Sequence, residues 1–531
     1  MAVVAQQFSP QERLRIEKDF SFPQDEPLQR AYSRECSVED GVLTVSFLLV
    51  ANRSAEVIGG GLYKFRDEMV RCPARVDARA LDSSSLWQDI KVESTDLRAQ
   101  QVECRFEVPW ARLPASIYGI EIVTSLGSIA VRSAHNTILS PTPDETLYCY
   151  RDPSGRMLRF ELYHLSRSKI EGLSEREPPA DARVQCLIGE YPNSARDNGL
   201  ALFRALRSHP EISARYVVEA GNPDGLVPNG DDVLAFGSVE HLRACLEADV
   251  VAFAHHATYV LPAIVRHISA RQFRRVKRFF LQHGITALKP SMKAYRKKVT
   301  HYDAFNVCSV LEQDIVVRAT GFERKDVVIA GLPRHDELMR LARASSTEPS
   351  RILVFPTWRK GLERIDSAAA STTAFVKNWI AALEALRATG TEVTFILHPV
   401  IRRHVQLFAP YVSETVDAAD FQQALVRSSA LLTDYSSVCF EALYLGKPVF
   451  FYTFDDDEVG FARRAYIDVA TQLPGPQLVT PEHVAEVVAL SRGEGWPLQP
   501  GSADRFFAHR DGKNSERCAE VIVELAKRSR D

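Results

Sequence analysis

No apolar run in the chain approaches the roughly 18 residues a membrane-spanning helix needs. A spanning helix is therefore not expected. No CxxC pair occurs, and the nine cysteines are odd in number and scattered from Cys36 to Cys518. That excludes a zinc ribbon of the usual spacing and argues against a disulfide framework; core thiols in a reducing cytosol are expected. Net charge is only −3, from 65 basic and 68 acidic residues, so no general nucleic-acid binder is expected. The first residues carry neither a basic n-region nor an apolar h-region, which points to a soluble or peripheral, cytoplasmic protein. Gly59-Gly60-Gly61 is not a nucleotide fingerprint, because it sits among β-type segments with no helix behind it. What is present is an ordinary globular mixture, 45% hydrophobic and 25% charged. Its length suggests about three or four domains.

The rhythm changes along the chain. Residues 1–34 read as a polar arm. Over 35–168 the apolar period is two: Val102, Cys104, Phe106 and Val108 alternate with Gln101, Glu103, Arg105 and Glu107. This predicts a small antiparallel, sandwich-like β domain. Residues 170–182, with Pro178 and Pro179, read as a linker. Strands then alternate with helices, which predicts parallel sheets covered on both faces. One Rossmann-like half is expected over 183–325 and a second over 326–510. The second opens on a strand at 327–330, and its helices are expected near 373–388, 401–408, 420–428 and 436–445. A segment over 511–531, with an amphipathic helix at 514–528, closes the fold.

Candidate chemistry gathers at the carboxyl ends of the parallel strands, where such sheets bind ligands. Thr433-Asp434-Tyr435-Ser436-Ser437 joins a strand to a helix, a place that suits phosphate, although the serines fit a plain helix cap equally well. His398 follows another strand. Trp358 and Arg359 follow a third, and Arg334 a fourth; each arginine fork matches a phosphate or a surface role. His283, next to Gly284, ends a strand of the first half and fits a general base facing across a cleft, or a structural histidine. Asn193 to Asn198, ahead of a helix of the same half, fit the acceptor side of the cleft or a plain helix cap. Between Val250 and Tyr302 no Asp or Glu occurs, while basic residues run from Arg266 to Lys298. That run suits a polyanion or an anionic membrane surface, or a solvated face. Asp455-Asp456-Asp457-Glu458 fits a magnesium site less well than a solvated loop, so no metal site is assigned.

Taken in order, Gln282-His283-Gly284 with Lys289, Gly331-Leu332-Pro333-Arg334 with Asp336, Pro356-Thr357-Trp358-Arg359, His398-Pro399 and Leu432 to Ser437 resemble the motifs of the CDP-glycerol glycerophosphotransferases, the teichoic-acid polymerase and primase group. The resemblance continues through Gly446-Lys447-Pro448 to Tyr452, covers about 280–455 well and 184–280 weakly, and does not reach the β-rich region. It implies two facing Rossmann-like domains of glycosyltransferase-B type. It implies transfer of a polyol phosphate from a CDP-activated donor to a hydroxyl of a lipid-linked or polymeric acceptor, with release of CMP and no required cofactor. His283 maps to the family's base. Arg334, His398, Ser436 and Ser437 map to its pyrophosphate contacts, with Asp434 and Arg359 in support. Gly284, Lys289, Trp358 and Thr433 support the cleft. The family works at the inner face of the bacterial membrane, in teichoic-acid or capsule synthesis. Two alternatives stay open: a glycosyltransferase using a nucleotide sugar on the same scaffold, and a non-catalytic membrane or polyanion binder.

Overall fold

The computed structural model describes residues 29–51, 57–64, 76–80, 88–92, 95–125, 127–132, 136–152, 157–173, 183–221, 227, 230–288, 292–345, 351–490 and 502–530. Three sheets organise them. The period-two stretch lies in the strand Thr95–Glu107, paired antiparallel with Val42–Ala51. Alternation sends Val102, Cys104 and Phe106 into one core with Val45 and Phe47. Leu147, Cys149 and Phe160, from the far end of the strand order, join the same core. The sheet therefore closes on itself as a sandwich does. Among the described residues its strands pair antiparallel, except where Gln29–Glu39 meets Gly127–Arg132. That first strand begins at Gln29, inside the stretch expected to be an arm. The expected linker likewise opens on a short helix, Arg167–Glu171, capped by Ser166; residues 174–182 lie outside the described set.

The other two sheets are parallel. The first has seven strands, in the order Val233–Ala235, Ile212–Val218, Val184–Gly189, Val250–Phe253, Lys277–Phe280, Ala304–Val307 and Val327–Ile329. The second has six, Glu414–Val416, Val393–Ile396, Arg351–Phe355, Ser428–Thr433, Val449–Tyr452 and Gln477–Leu478. Nearly every strand residue near the sheet centres is buried, as a sheet covered by helices on both faces requires.

One strand belongs elsewhere than expected. Val327–Ile329 does not open the second half; it pairs with Ala304–Val307 and closes the first sheet. A short apolar strand carries no mark of which sheet it joins, because only its partners decide that. The crossing to the second half is made after it, at Gly331 and the helix Pro333–Ala344. Gly331 has φ +82°, and a Cβ there would overlap the Asn514 side chain, so both conformation and space demand glycine. The closing helix, Asn514–Arg530, returns to the first half, burying Cys518, Ile522 and Leu525 with Val184, Cys186 and Ile188.

Candidate functional site

Among the described residues, the candidate side chains sit at or just past the carboxyl ends of parallel strands. In the first half Lys277–Phe280 leads into Gln282, a buried non-glycine residue at φ +51°. Such a conformation persists only where neighbours hold it. Here Gln282 Nε2 donates to Glu312 (3.0 Å), and Asn198 Nδ2 donates to the Gln282 carbonyl (2.8 Å). Glu312 also accepts the backbone N–H groups of Thr286 (2.7 Å) and Cys308 (2.8 Å). The turn so fixed delivers His283 to an exposed position at the cleft. Its ring lies face to face with that of His255, centroids 5.3 Å apart and planes 11° apart. Lys289 lies outside the described residues.

The two halves meet at this point. A Cβ at Gly284 would lie 3.5 Å from Ser437 Oγ and 3.7 Å from Arg334 Nη2. The imidazole loop of one half therefore faces the serine loop of the other across a gap the width of a small group. Arg334 binds both sides: it pairs with Asp197 of the first half (2.6 Å) and Glu441 of the second (2.8 Å), and donates to the His283 carbonyl (2.6 Å). Burial works against its charge, but Glu441 and Asp197 more than offset this and hold the guanidinium above its usual range.

The second half contributes a comparable ion cluster. Arg359 pairs with Asp434 (2.9 Å) and Asp455 (2.7 Å) and lies against the rings of Phe375 and Tyr435. Asp434 is fully buried and also accepts the Thr357 N–H (2.8 Å). Tyr435 OH donates to Asp455 (2.9 Å). Asp455, expected in a solvated acidic loop, is thus committed to this cluster. Among the described residues no group of three acidic, histidine or cysteine side chains has a metal-holding geometry. Both arginines expected to clamp phosphate are therefore each held between two carboxylates. His398 accepts the Val400 N–H at Nδ1 (3.3 Å), which leaves its proton on Nε2, and its ring is 6.1 Å from that of Trp358. Thr433 Oγ1 donates to the Phe355 carbonyl (2.6 Å) and ties two strands together. The expected helix at 436–445 is shorter, Cys439–Tyr444. Its entry is a tight turn in which Ser436 Oγ accepts the Val438 N–H (3.4 Å) and Phe440 N–H bonds the Ser437 carbonyl.

Two site groups escaped the sequence reading, and a third, Asn198, was read only within a stretch that shapes the cleft or caps a helix. His255 follows the strand Val250–Phe253 and is signalled by the strand-end rule that marked His283. Burial pushes its imidazole down to about 3, with Asp197 opposing and His283 and Arg334 adding to the shift. It is neutral at neutral pH. Glu190, at the end of Val184–Gly189, accepts the N–H groups of Asp197 (3.0 Å) and Leu200 (3.2 Å). Burial, then Asp197, pushes its carboxyl up to about 8. Asn198, fully buried, accepts the Arg334 N–H (3.1 Å) while holding the Gln282 carbonyl. Its role arises only from the crossing of two loops far apart in sequence.

The basic run is less continuous in space than in sequence. Lys297 pairs with Asp326, Lys277 lies 4.0 Å from Asp303, and Arg278 donates to the Phe273 and Val276 carbonyls. Arg266, Arg271, Arg274, Arg296 and Lys298 remain exposed. No helix among the described residues is long and apolar enough to cross a membrane.

The family model described as CDP-glycerol:poly(glycerophosphate) glycerophosphotransferase matches residues 179–524. The chain is 24% identical over 371 residues to the minor teichoic acid biosynthesis protein GgaB of Bacillus subtilis, covering 64% of this chain and 39% of that protein. It is 25% identical over 251 residues to a teichoic acid glycerol-phosphate transferase of Staphylococcus aureus, covering 43% and 62%. The chain thus spans less than two thirds of the length of these relatives. A solved structure of the wall teichoic acid polymerase TagF superposes with a TM-score of 0.53 at 19% identity, over 68% of this chain and 92% of that one. This likeness extends to the fold: two facing parallel-sheet halves of glycosyltransferase-B type, here with an antiparallel sheet domain before them.

Proposed function

Because the chain belongs to the CDP-glycerol:poly(glycerophosphate) glycerophosphotransferase family, we propose that it transfers a polyol phosphate, glycerol phosphate first among candidates, from a CDP-activated donor to a hydroxyl of a teichoic-acid or capsule acceptor. The observation that carries the reading is the approach of the His283–Gly284 loop to Ser437 across the cleft. The donor pyrophosphate lies beside this closest approach, against the hydroxyls of Ser436 and Ser437 and the Nε2–H of His398. Arg334 and Arg359, each already paired with carboxylates, hold the loops that line it.

His283 removes the proton of the acceptor hydroxyl as its oxygen attacks the outer phosphorus. A new phosphorus–oxygen bond forms there, the bond to the bridging oxygen breaks, and CMP leaves with that electron pair. General-base assistance of this kind is worth about 10²–10⁴-fold, and positioning and charge stabilisation supply most of the rest. The neutral ring of His255 lets the imidazolium that forms on His283 lie beside a π face rather than a second cation.

The same proposal sets the protein at the inner face of a bacterial membrane, where a lipid-linked acceptor would lie. The exposed arginines Arg266, Arg271 and Arg274 support it, each surface cation being worth about 1 kcal/mol near anionic lipid. The deciding experiment incubates the chain with CDP-glycerol, CDP-ribitol and UDP-sugars and follows nucleotide release with acceptor present. CMP release coupled to a product heavier by one polyol phosphate is expected. Release of UDP instead would move the protein to the glycosyltransferases.

A further inference from the structure

Next to Arg334 the cleft opens into a cavity of about 600 Å³ with walls from both halves. Tyr191, Ser194, Arg204 and His255 come from the first half, Gln422 and Gln423 from the second. Among the described residues, His283, His398, Ser436 and Ser437 do not line it. It is therefore a compartment separate from the place assigned to the donor pyrophosphate, and Arg334 stands between the two.

Its chemistry differs from that of a phosphate site. Five carboxyl side chains and four guanidiniums line it, and the charges largely cancel within the walls. Arg334 answers Asp197 and Glu441, and Arg340 bonds Glu337 through two nitrogens (2.6 and 3.0 Å). No surplus of positive charge remains for a pyrophosphate. What the walls offer is side-chain amides that both donate and accept, a serine hydroxyl, and the Tyr191 ring packed on His255 with centroids 3.9 Å apart. Amides pair with hydroxyl groups in either direction, and an aromatic face covers the C–H side of a polyhydroxylated chain. His255, on this wall, carries His283 on its other contact at 5.3 Å, so a chain lying here brings its terminal hydroxyl towards that imidazole.

We propose that this cavity receives the hydroxyl-bearing end of the acceptor, a polyol or glycosyl terminus of low net charge. The inference rests on the transferase reading, whose donor side it complements. It is tested on the full chain by ligand-observed NMR, with ribitol and methyl β-glucoside as low-charge probes and glycerol 3-phosphate as the charged comparison. CMP release from CDP-glycerol is measured in parallel with the same acceptors. Gln423→Ala changes an exposed side chain, and Tyr191→Ala removes the ring.

Both variants are expected to weaken binding of the low-charge probes and to raise their KM about tenfold, the worth of one good contact. KM for CDP-glycerol should stay within about twofold of wild type. Unchanged probe binding in both variants overturns the inference. So does a rise confined to KM for CDP-glycerol, which would give the cavity to the donor, or a preference for glycerol 3-phosphate that the variants abolish. If the wild-type chain neither binds nor turns over CDP-glycerol, the transferase reading falls. Loss of ribitol binding in the variants would then still uphold a polyol site here.

Discussion

At the scale of single residues, the argument turns on His283 and Arg334. His283 is exposed at the cleft and makes its close ring contact with a neutral imidazole. Replacing it should spare the fold and the donor site. His283→Ala is expected to lower turnover about 10²–10⁴-fold while calorimetry still finds CDP-glycerol binding; wild-type turnover in a folded variant would remove the assigned base. Arg334 is the opposite case, buried and bonded to both halves. Arg334→Met leaves Asp197 and Glu441 as buried carboxylates without their cation. Removal of one partner of such a cluster costs about 3–5 kcal/mol, read as a lowered urea midpoint. A midpoint unchanged from wild type would mean the cluster contributes little to holding the halves together. The strand-end placement of His283, Arg334, Arg359, His398 and the two serines was legible in the sequence because each closely follows an apolar strand. Glu312 was not, since it acts on a loop far from it in the chain, and nothing local distinguishes a glutamate that anchors a turn from one in solvent; Asn198 was readable as shaping the cleft or capping its helix, but not its bond to the Gln282 carbonyl.

At the scale of elements, helix lengths and caps were readable where the chain supplies its own cap. Thr373 accepts the Val376 N–H and starts Ala374–Ala388, close to the predicted 373–388. A boundary failed where a turn tightens the entry, as at Ser436–Val438. The C-terminal helix starts at Asn514, as read, although its cap comes from elsewhere. Its opening N–H groups, of Asn514 and Ser515, are accepted by Asp336 on the helix Pro333–Ala344 at 3.0 and 2.7 Å. Asn514 Nδ2 in turn donates to the Leu332 carbonyl (3.2 Å). One carboxylate thus fastens the last helix to the crossing between the halves. Asp336→Ala is expected to cost about 1–2 kcal/mol, the range of a lost cap. It should also speed hydrogen exchange in the first turn of Asn514–Arg530; exchange there at the wild-type rate would mean the helix is held by its apolar face alone. The misassigned strand Val327–Ile329 has the same origin, because sheet membership is fixed by pairing with Ala304–Val307 and not by composition.

At the scale of the whole molecule, the β-rich domain is joined to the first parallel-sheet half through buried polar contacts as well as apolar packing. Glu161, on the strand Leu158–Tyr163 and fully buried, accepts the N–H groups of Ala263 (2.7 Å) and Ile264 (3.0 Å) from the other domain, and the Tyr163 hydroxyl (2.8 Å) from its own. Ser116 Oγ donates to Glu219 across the same junction (2.7 Å). Burial pushes the Glu161 carboxyl up to about 7, the three donors pulling the other way. The sign of its effect on stability follows. The folded state holds this proton more tightly than the unfolded chain does, so the contribution is complete below the unfolded value of 4.5 and is lost as pH rises through about 7. The displacement corresponds to about 3 kcal/mol. Glu190, raised in the same direction, adds a similar slope at somewhat higher pH. Glu161→Gln carries no titrating proton and meets one of the two backbone N–H groups with its own NH₂, so it should be less stable than wild type at every pH. Its loss of stability between pH 5 and pH 8 should nevertheless be smaller than that of wild type by about that amount. Calorimetry at both pH values measures this, and the transition to follow is the one in which the β-rich domain separates. Equal slopes for the two proteins would mean that Glu161 remains ionised throughout and that the junction is indifferent to pH.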